Sequence, residues 1–183
     1  SIRKFDNRRY KCLEGSILND SFISTLGQFD LVYSWGVLHH TGKIYKAMEN
    51  SSKLVKKDGL IFISLYQKTI SDPFWVIEKK IFNLSSKWIQ LNIFKTYIFI
   101  IKLAYFLKGK SLKKVIKNYS SNRGMNFYND AYDWLGGYPY EGIDTRECIK
   151  YYSNLGFVNI LLKKRSKYFS FSSGCNEYVF KKK

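Results

Sequence analysis

Metal-binding and redox side chains are scarce in this chain of 183 residues, which holds three cysteines and two histidines. Cys12, Cys148 and Cys175 are an odd number, far apart, with no CxxC spacing and no histidine beside them. That excludes a disulfide framework and a paired-cysteine zinc site, and reads as reduced thiols of a cytoplasmic protein with no metal site. Acidic residues are scarce too: 14 Asp and Glu stand against 31 Lys and Arg, a formal charge of +17. Such a charge attracts nucleic acid or an anionic membrane surface non-specifically. The lysines are spread along the chain, however, and no nucleic-acid-binding module signature is present, so a solvated basic surface is the expectation. An uninterrupted apolar run of membrane-spanning length is also lacking. The most apolar stretch, residues 89–107, is broken by Gln90, Asn92, Lys95 and Lys102, so no spanning helix is expected there. The polar, charged opening "SIRKFDNRRYK" resembles no secretory signal.

What is present suits a folded domain. Hydrophobic residues make 45% of the chain, and this length can bury a real core within one domain. Aromatic residues are plentiful, with 14 Phe, 15 Tyr and 4 Trp beside only 2 Pro. Biased composition and functional enrichment account for that equally well.

The chain is organised around residues 29–42, "FDLVYSWGVLHHTG". Apolar, β-favouring Leu31, Val32 and Tyr33 follow a break at Gly27 and Gln28 and read as a buried strand. Ser34, Gly36, His39, His40 and Thr41 then supply polar groups at the strand exit, where open α/β sheets bind ligands. Both histidines of the protein lie here. They titrate near neutrality, so either is a candidate base or acceptor-orienting group. Hydrogen bonding within the fold is the competing role.

Around this element, residues 9–13 are expected to form a short strand ending in a Gly15-Ser16-Ile17 turn, and residues 20–26 a helix stopped by Gly27. A helix begins near Ile44 and is expected to close on "KKDG" at 56–59, with lysines in its last turn. Residues 60–66 are a near-continuous apolar run, as in a strand covered on both faces. Strand, helix and strand of these lengths predict a parallel crossover. From Ser71 to about Ser120 the pattern is that of long helices. Residues 76–120 carry ten lysines against one glutamate, which suits either an amphipathic cover over a substrate site or a helix lying on a membrane surface. A cluster from Arg123 through Asp130, Asp133, Trp134, Gly136, Gly137, Tyr138 and Glu141 mixes glycines, aromatics and charges, as a binding loop does. Arg123 is the candidate for an anionic acceptor or product group, with Asp133 and Tyr138 beside it as further substrate contacts. Asp144 is the expected N-cap of a helix that Gly156 ends, and two closing strands, 157–162 and 176–180, form an expected antiparallel pair.

"YSWGVLHHTG", the later "DWLGGYPYE" at 133–141 and the terminal "GCNEYVF" at 174–180 together resemble a bacterial group of class I S-adenosylmethionine (SAM) dependent methyltransferases. The three matches stand in the same order and cover most of the chain, with residues 70–120 matching loosely. The resemblance implies an α/β Rossmann-like sheet of strand order 3-2-1-4-5-7-6, with a helical insertion after the fifth strand. It divides the chain into core at 1–70, helical insertion and substrate loop at 71–143, and closing helix and strand pair at 144–183. It also implies SAM as cofactor, contacted by Ser16 and Ile17 at adenine and by Trp35 and Gly36. The acceptor is expected to be a small molecule, sugar or lipid, with peripheral membrane contact through the basic helices and no specific nucleic-acid partner.

In that family a glycine-rich loop and a ribose-binding acid precede the strand matched near Arg9, and only eight residues stand before it. The expectation is therefore an incomplete sheet lacking its first two strands, with weak SAM binding by the 183 residues alone. Two other classes stay open: a non-catalytic methyltransferase-like scaffold, and a basic RNA-binding or RNA-modifying protein.

Overall fold

Strand β1 (Phe29–Trp35) runs parallel to β2 (Val55–Tyr66), and helix α2 (Ile44–Lys53) connects them. The computed structural model describes residues 11–164 and 174–183, with the side chains of residues 122 and 123 excepted. Helix α1 (Asp20–Leu26) comes first. The Asn19 side chain accepts from Phe22 N at its start, and Gly27 at φ 76° ends it, a backbone conformation that glycine takes without a Cβ penalty.

After β2 come four helices, α3 (Asp72–Leu84), α4 (Lys87–Leu107), α5 (Leu112–Arg123) and α6 (Phe127–Leu135). Helix α7 (Thr145–Asn154) and strands β3 (Phe157–Lys163) and β4 (Cys175–Lys182) complete the described residues. The sheet order is β1-β2-β4-β3, with β4 antiparallel to both of its neighbours. The result is a mixed α/β fold on a four-stranded sheet.

The core lies on one face of that sheet. Ile61, Ile63 and Leu65 alternate along β2 onto this face, and Ala47 and Met48 of α2 and Cys148 and Tyr152 of α7 close over them. Tyr178 and Phe180 of β4 join them, with Phe180 stacked on Tyr152 at 4.4 Å. Period-two alternation explains the choice of face. Residues 31–33 were expected to lie in a buried strand, which does not hold. On the opposite side Leu31 and Tyr33 are 56% and 60% exposed, and among the described residues no strand pairs with the outer edge of β1.

Three further expectations are corrected. Residues 11–13 adopt no strand, and Arg9 and Tyr10 lie outside the described residues. Helix α2 ends at Lys53, and Val55 already pairs with Phe29. The "KKDG" segment bulges from β2 with Asp58 at φ 62°, because pairing with β1 resumes only at Leu60 opposite Leu31. The supposed loop at 123–141 contains α6, capped by Asn126, whose side chain accepts from Tyr128 N and Asn129 N. Asp144 caps α7 as expected, accepting from Arg146 N. Glu147, three residues on, accepts instead from the Tyr45 hydroxyl at 2.6 Å.

Candidate functional site

Parallel pairing brings the carboxyl ends of β1 and β2 to the same side of the sheet, where α/β folds bind ligands. At the end of β1 the Trp35 indole stacks with Tyr33 at 6.2 Å and meets Phe62 edge-on at 5.5 Å. Gly36 follows at φ 71°. Its N–H donates to Ser64 O at 3.3 Å, and a Cβ at Gly36 would meet nothing within 4 Å. The chain then tightens into a 3-10 turn at Leu38–His40.

The two histidines of this turn are committed to the protein. His39 is 1% exposed. Its Nδ1 accepts the backbone N–H of Tyr66 at 3.3 Å, and its ring lies 4.0 Å from that of Tyr66. Burial, reinforced by the neighbouring His40, pulls its pKa down to about 3, so it stays neutral throughout the physiological range. The His39 ring is thereby held against β2. His40 donates from Nδ1 to the Pro139 carbonyl at 2.7 Å. Burial lowers its pKa as well, opposed by its hydrogen bonds to the backbone at Pro139 and Gly137.

This hydrogen bond joins the histidine turn to the segment after α6, which is 99 residues away in sequence. Glu141 N donates to His39 O at 3.0 Å, and its Oε1 accepts from Ile44 N at 3.2 Å. Gly137 is required here, because a Cβ would come within 2.8 Å of the His40 ring. The stretch 137–141 packs directly on the histidines. Asp133 and Tyr138 are exposed, and the side chain of Arg123 lies outside the described residues. Ser16 and Ile17 form a turn tied to α2, in which Asn50 Nδ2 donates to Ile17 O at 2.8 Å.

Beside the strand ends is a cavity of about 490 Å³. Trp35, Ser64 and Tyr66 line it from the sheet, with Gly174, Cys175 and Glu177 at the start of β4. Tyr97 and Ile101 of α4, Tyr119 of α5, and Asp130 and Trp134 of α6 close over it. Of the expected site residues, among those described, Trp35 lines this cavity and the others do not. Its polar groups come from several elements. The Tyr119 hydroxyl donates to Asp130 Oδ2, Glu177 holds Lys163 at 3.0 Å, and burial raises the Tyr66 phenol. The Ser64 hydroxyl is buried without a partner, leaving a donor and acceptor turned to no protein group. Ser64, Tyr119 and Glu177 were not singled out from sequence, whereas Asp130 stood in the cluster read as a binding loop. Ser64 had a signal, since it is the one polar residue in the apolar run 60–66. Among the described residues no group of three or more His, Cys, Asp or Glu could hold a metal ion.

The sequence matches no protein family and no curated protein. Its fold does match solved structures. PKMT2 from Rickettsia typhi in complex with AdoHcy aligns at TM-score 0.52 and 11% identity, over 90% of this chain and 38% of that one. A second structure of PKMT2 aligns at the same TM-score and identity, over 37% of its length. Magnesium protoporphyrin IX methyltransferase (ChlM) from Synechocystis PCC 6803 with bound SAH aligns at TM-score 0.41 and 12% identity, over 88% of this chain and 48% of that one. This chain spans about half or less of the length of the structures it matches. The likeness at this identity is one of fold.

Proposed function

We propose that this chain serves SAM-dependent methyl transfer to a small-molecule, sugar or lipid acceptor held in the cavity between the strand ends and α4–α6. One observation carries this reading: all three segments that bear the family resemblance contribute to that cavity. Trp35 comes from the first, Trp134 from the second, and Gly174, Cys175 and Glu177 from the third, although about 140 residues separate the first from the last. The sheet order supports it further. β1-β2-β4-β3, with β4 reversed, agrees with the 4-5-7-6 half of the order that the resemblance implies.

The residues at the end of β1 fit part of a SAM molecule. Gly36 leaves open space at a left-handed backbone position, Trp35 offers an aromatic face, and the Ile17 N–H is the candidate for adenine. SAM brings a methyl group on a positive sulfur, already electrophilic, so the protein's task is chiefly orientation and exclusion of water. Tyr97, Trp134 and Ile101 supply apolar walls. Asp130 and Glu177 orient a hydroxyl or amine of the acceptor by charge and hydrogen bonding. His39 and His40 hold the 137–141 segment in place.

The test is label transfer from methyl-labelled SAM to a fractionated metabolite extract by the full-length protein. A labelled product is expected, with Asp130→Asn cutting turnover at least about tenfold at nearly unchanged SAM affinity, since the change touches the acceptor side. A full-length protein that binds no SAM by calorimetry and labels no fraction ends the reading.

A second reading concerns α3 and α4. By length and mean hydropathy α4 is long and apolar enough to cross a membrane, and 6% of its most apolar window is buried. Exposed Ile77, Ile81, Trp88, Phe99, Phe106 and Leu107 lie among the lysines of this segment. These features support contact with an anionic membrane surface. Co-sedimentation with phosphatidylserine vesicles but not with neutral ones is the expected result, and equal recovery with both refutes it.

A further inference from the structure

The cavity beside the strand ends is lined by acids and aromatic rings. Strand register places Trp35 opposite Ser64, and Ser64 opposite Glu177, so these three side chains stand in one row on one face of the sheet. Ser64 is the small member of the row and leaves room between the indole and the carboxylate. Over this floor, α6 presents Phe127, Asp130 and Trp134 to the cavity, since positions spaced i, i+3 and i+7 share one helix face. One carboxylate thus comes from the sheet and another from the helices above it. Among the described lining residues there is no Lys, Arg or His, in a chain whose formal charge is +17.

Both carboxylates keep their charge toward the cavity. Lys163, the next position of the same row, meets Glu177 at 3.0 Å with a side chain 70% exposed, and a pair so open to water is weak. The Tyr119 hydroxyl donates to Asp130 Oδ2, which orients that carboxylate without neutralising it. The Trp134 ring is engaged by Tyr97 and by the Lys79 ammonium. It also lines a second, apolar cavity of about 630 Å³ between α3, α4 and the end of α6. The half-exposed Trp35 indole is therefore the aromatic surface nearest to hand for a ligand on the sheet floor.

We propose, resting on the methyl-transfer reading of this cavity, that its acceptor is an organic cation: an amine that enters as its ammonium and is methylated on nitrogen. Two carboxylates in a partly dehydrated cavity repel each other until a positive charge lies between them. A neutral hydroxyl makes hydrogen bonds there but leaves that repulsion standing, and an anionic acceptor adds to it. An ammonium offsets both carboxylates and gains from the Trp35 ring as well, since cations favour the face of an indole. In the transfer the ammonium releases one proton to water and its lone pair forms the nitrogen–carbon bond. The electron pair of the breaking carbon–sulfur bond stays on sulfur. The products are a methylated ammonium and a neutral thioether, so positive charge builds on the nitrogen during the step, and Asp130 and Glu177 stabilise it there.

The test uses the full-length protein and an isosteric pair of probes, choline and 3,3-dimethylbutan-1-ol, which differ in charge and hardly in shape. In calorimetry without SAM, saturable choline binding at least about tenfold tighter than that of the alcohol is expected. The +17 charge of this chain works against such a result, so non-specific attraction does not produce it. Asp130→Asn and Glu177→Gln should each weaken choline about 5- to 10-fold and leave the alcohol within about twofold. Glu177→Gln decides the matter should Asp130→Asn fail to fold. Equal or tighter binding of the alcohol, or choline binding that withstands both substitutions, overturns the proposal. Label transfer then separates its failure from that of methyl transfer itself. With methyl-labelled SAM and an extract divided on a cation exchanger, label is expected in the retained, amine-bearing fraction. Label confined to the unretained fraction overturns the proposal while methyl transfer stands, and no label in any fraction overturns methyl transfer and the proposal with it.

Discussion

Lys79 is the residue whose replacement should be felt most widely. Its side chain is wholly buried, which is rare for lysine unless its charge is matched. It is matched three ways: 2.6 Å to the Trp134 carbonyl, 3.3 Å to Glu78 Oε2, and 3.5 Å above the centre of the Trp134 ring. Lys79→Met preserves length and volume while removing all three. A hydrogen bond from a charged donor contributes about 1.5–3 kcal/mol, and a desolvated cation over an indole about 2 kcal/mol. Against this, methionine escapes the cost of burying an ammonium, a cost visible in the lowered Lys79 pKa. Removing one partner of a buried pair generally costs about 3–5 kcal/mol. Glu78, whose own pKa is raised by burial, can relieve part of that by taking a proton. A net loss of about 3 kcal/mol is therefore expected in urea unfolding at pH 7. Asn83 Nδ2 still donates to Gly136 O at 3.0 Å, so α3 and α6 should stay joined, and the change should show in near-ultraviolet circular dichroism as altered Trp134 packing. A variant within about 1 kcal/mol of wild type with an unchanged tryptophan signal would refute the reasoning.

Acid sensitivity should trace to His39. Its folded-state pKa of about 3 lies below the ordinary 6.5, so the native state binds fewer protons in that window. The stability it contributes is complete above about pH 6.5 and is lost as pH falls toward 3, at up to about 1.4 kcal/mol per pH unit. His40, shifted in the same direction, adds to the slope, and His39→Gln should flatten it by about one proton in denaturation curves at successive pH values. Gly137→Ala should force the His40 ring away from Pro139, costing about 1–3 kcal/mol; calorimetry should show a fall in Tm of several degrees, and an unchanged Tm would count against the contact. Asp144→Ala should cost about 1 kcal/mol through loss of the α7 cap, whereas Asp144→Asn or Asp144→Ser should restore most of it.

Elements whose local and tertiary preferences agree were legible in the sequence. β1 is apolar, β-favouring and closed by Gly36; α1 has Asn19 before it and Gly27 after it; α7 has Asp144 before it and Gly156 just beyond its end. Where the two preferences conflict, the reading failed. Lysines before a glycine resemble a helix end, yet pairing of Val55 with Phe29 starts β2 before them. Glycine and aromatic content suggested a loop at 123–141, although Phe127, Ala131 and Leu135 recur at i, i+4 and i+8 behind an Asn126 cap, a helical signal that composition obscured. The site was legible as segments only. Nothing local tells His40 that its partner is the carbonyl of Pro139, or that Ser64, in the middle of an apolar strand, lines a cavity with Asp130.

The position of α6 ties these observations together. Trp134 lines both the cavity beside the strand ends and the apolar cavity against α3. Its ring stacks with Tyr97 and lies under the Lys79 ammonium, and its carbonyl is held by the same lysine. Just past α6, the chain passes through Gly137 and Pro139 onto His40, and through Glu141 onto α2. The strand-end turn and the wall between the two cavities are thus anchored through one short stretch, residues 134–141. A change in either cavity that moves Trp134 must therefore be absorbed within a few residues of the histidines. Close packing leaves little slack for that, so substitutions in this stretch should alter both cavities together.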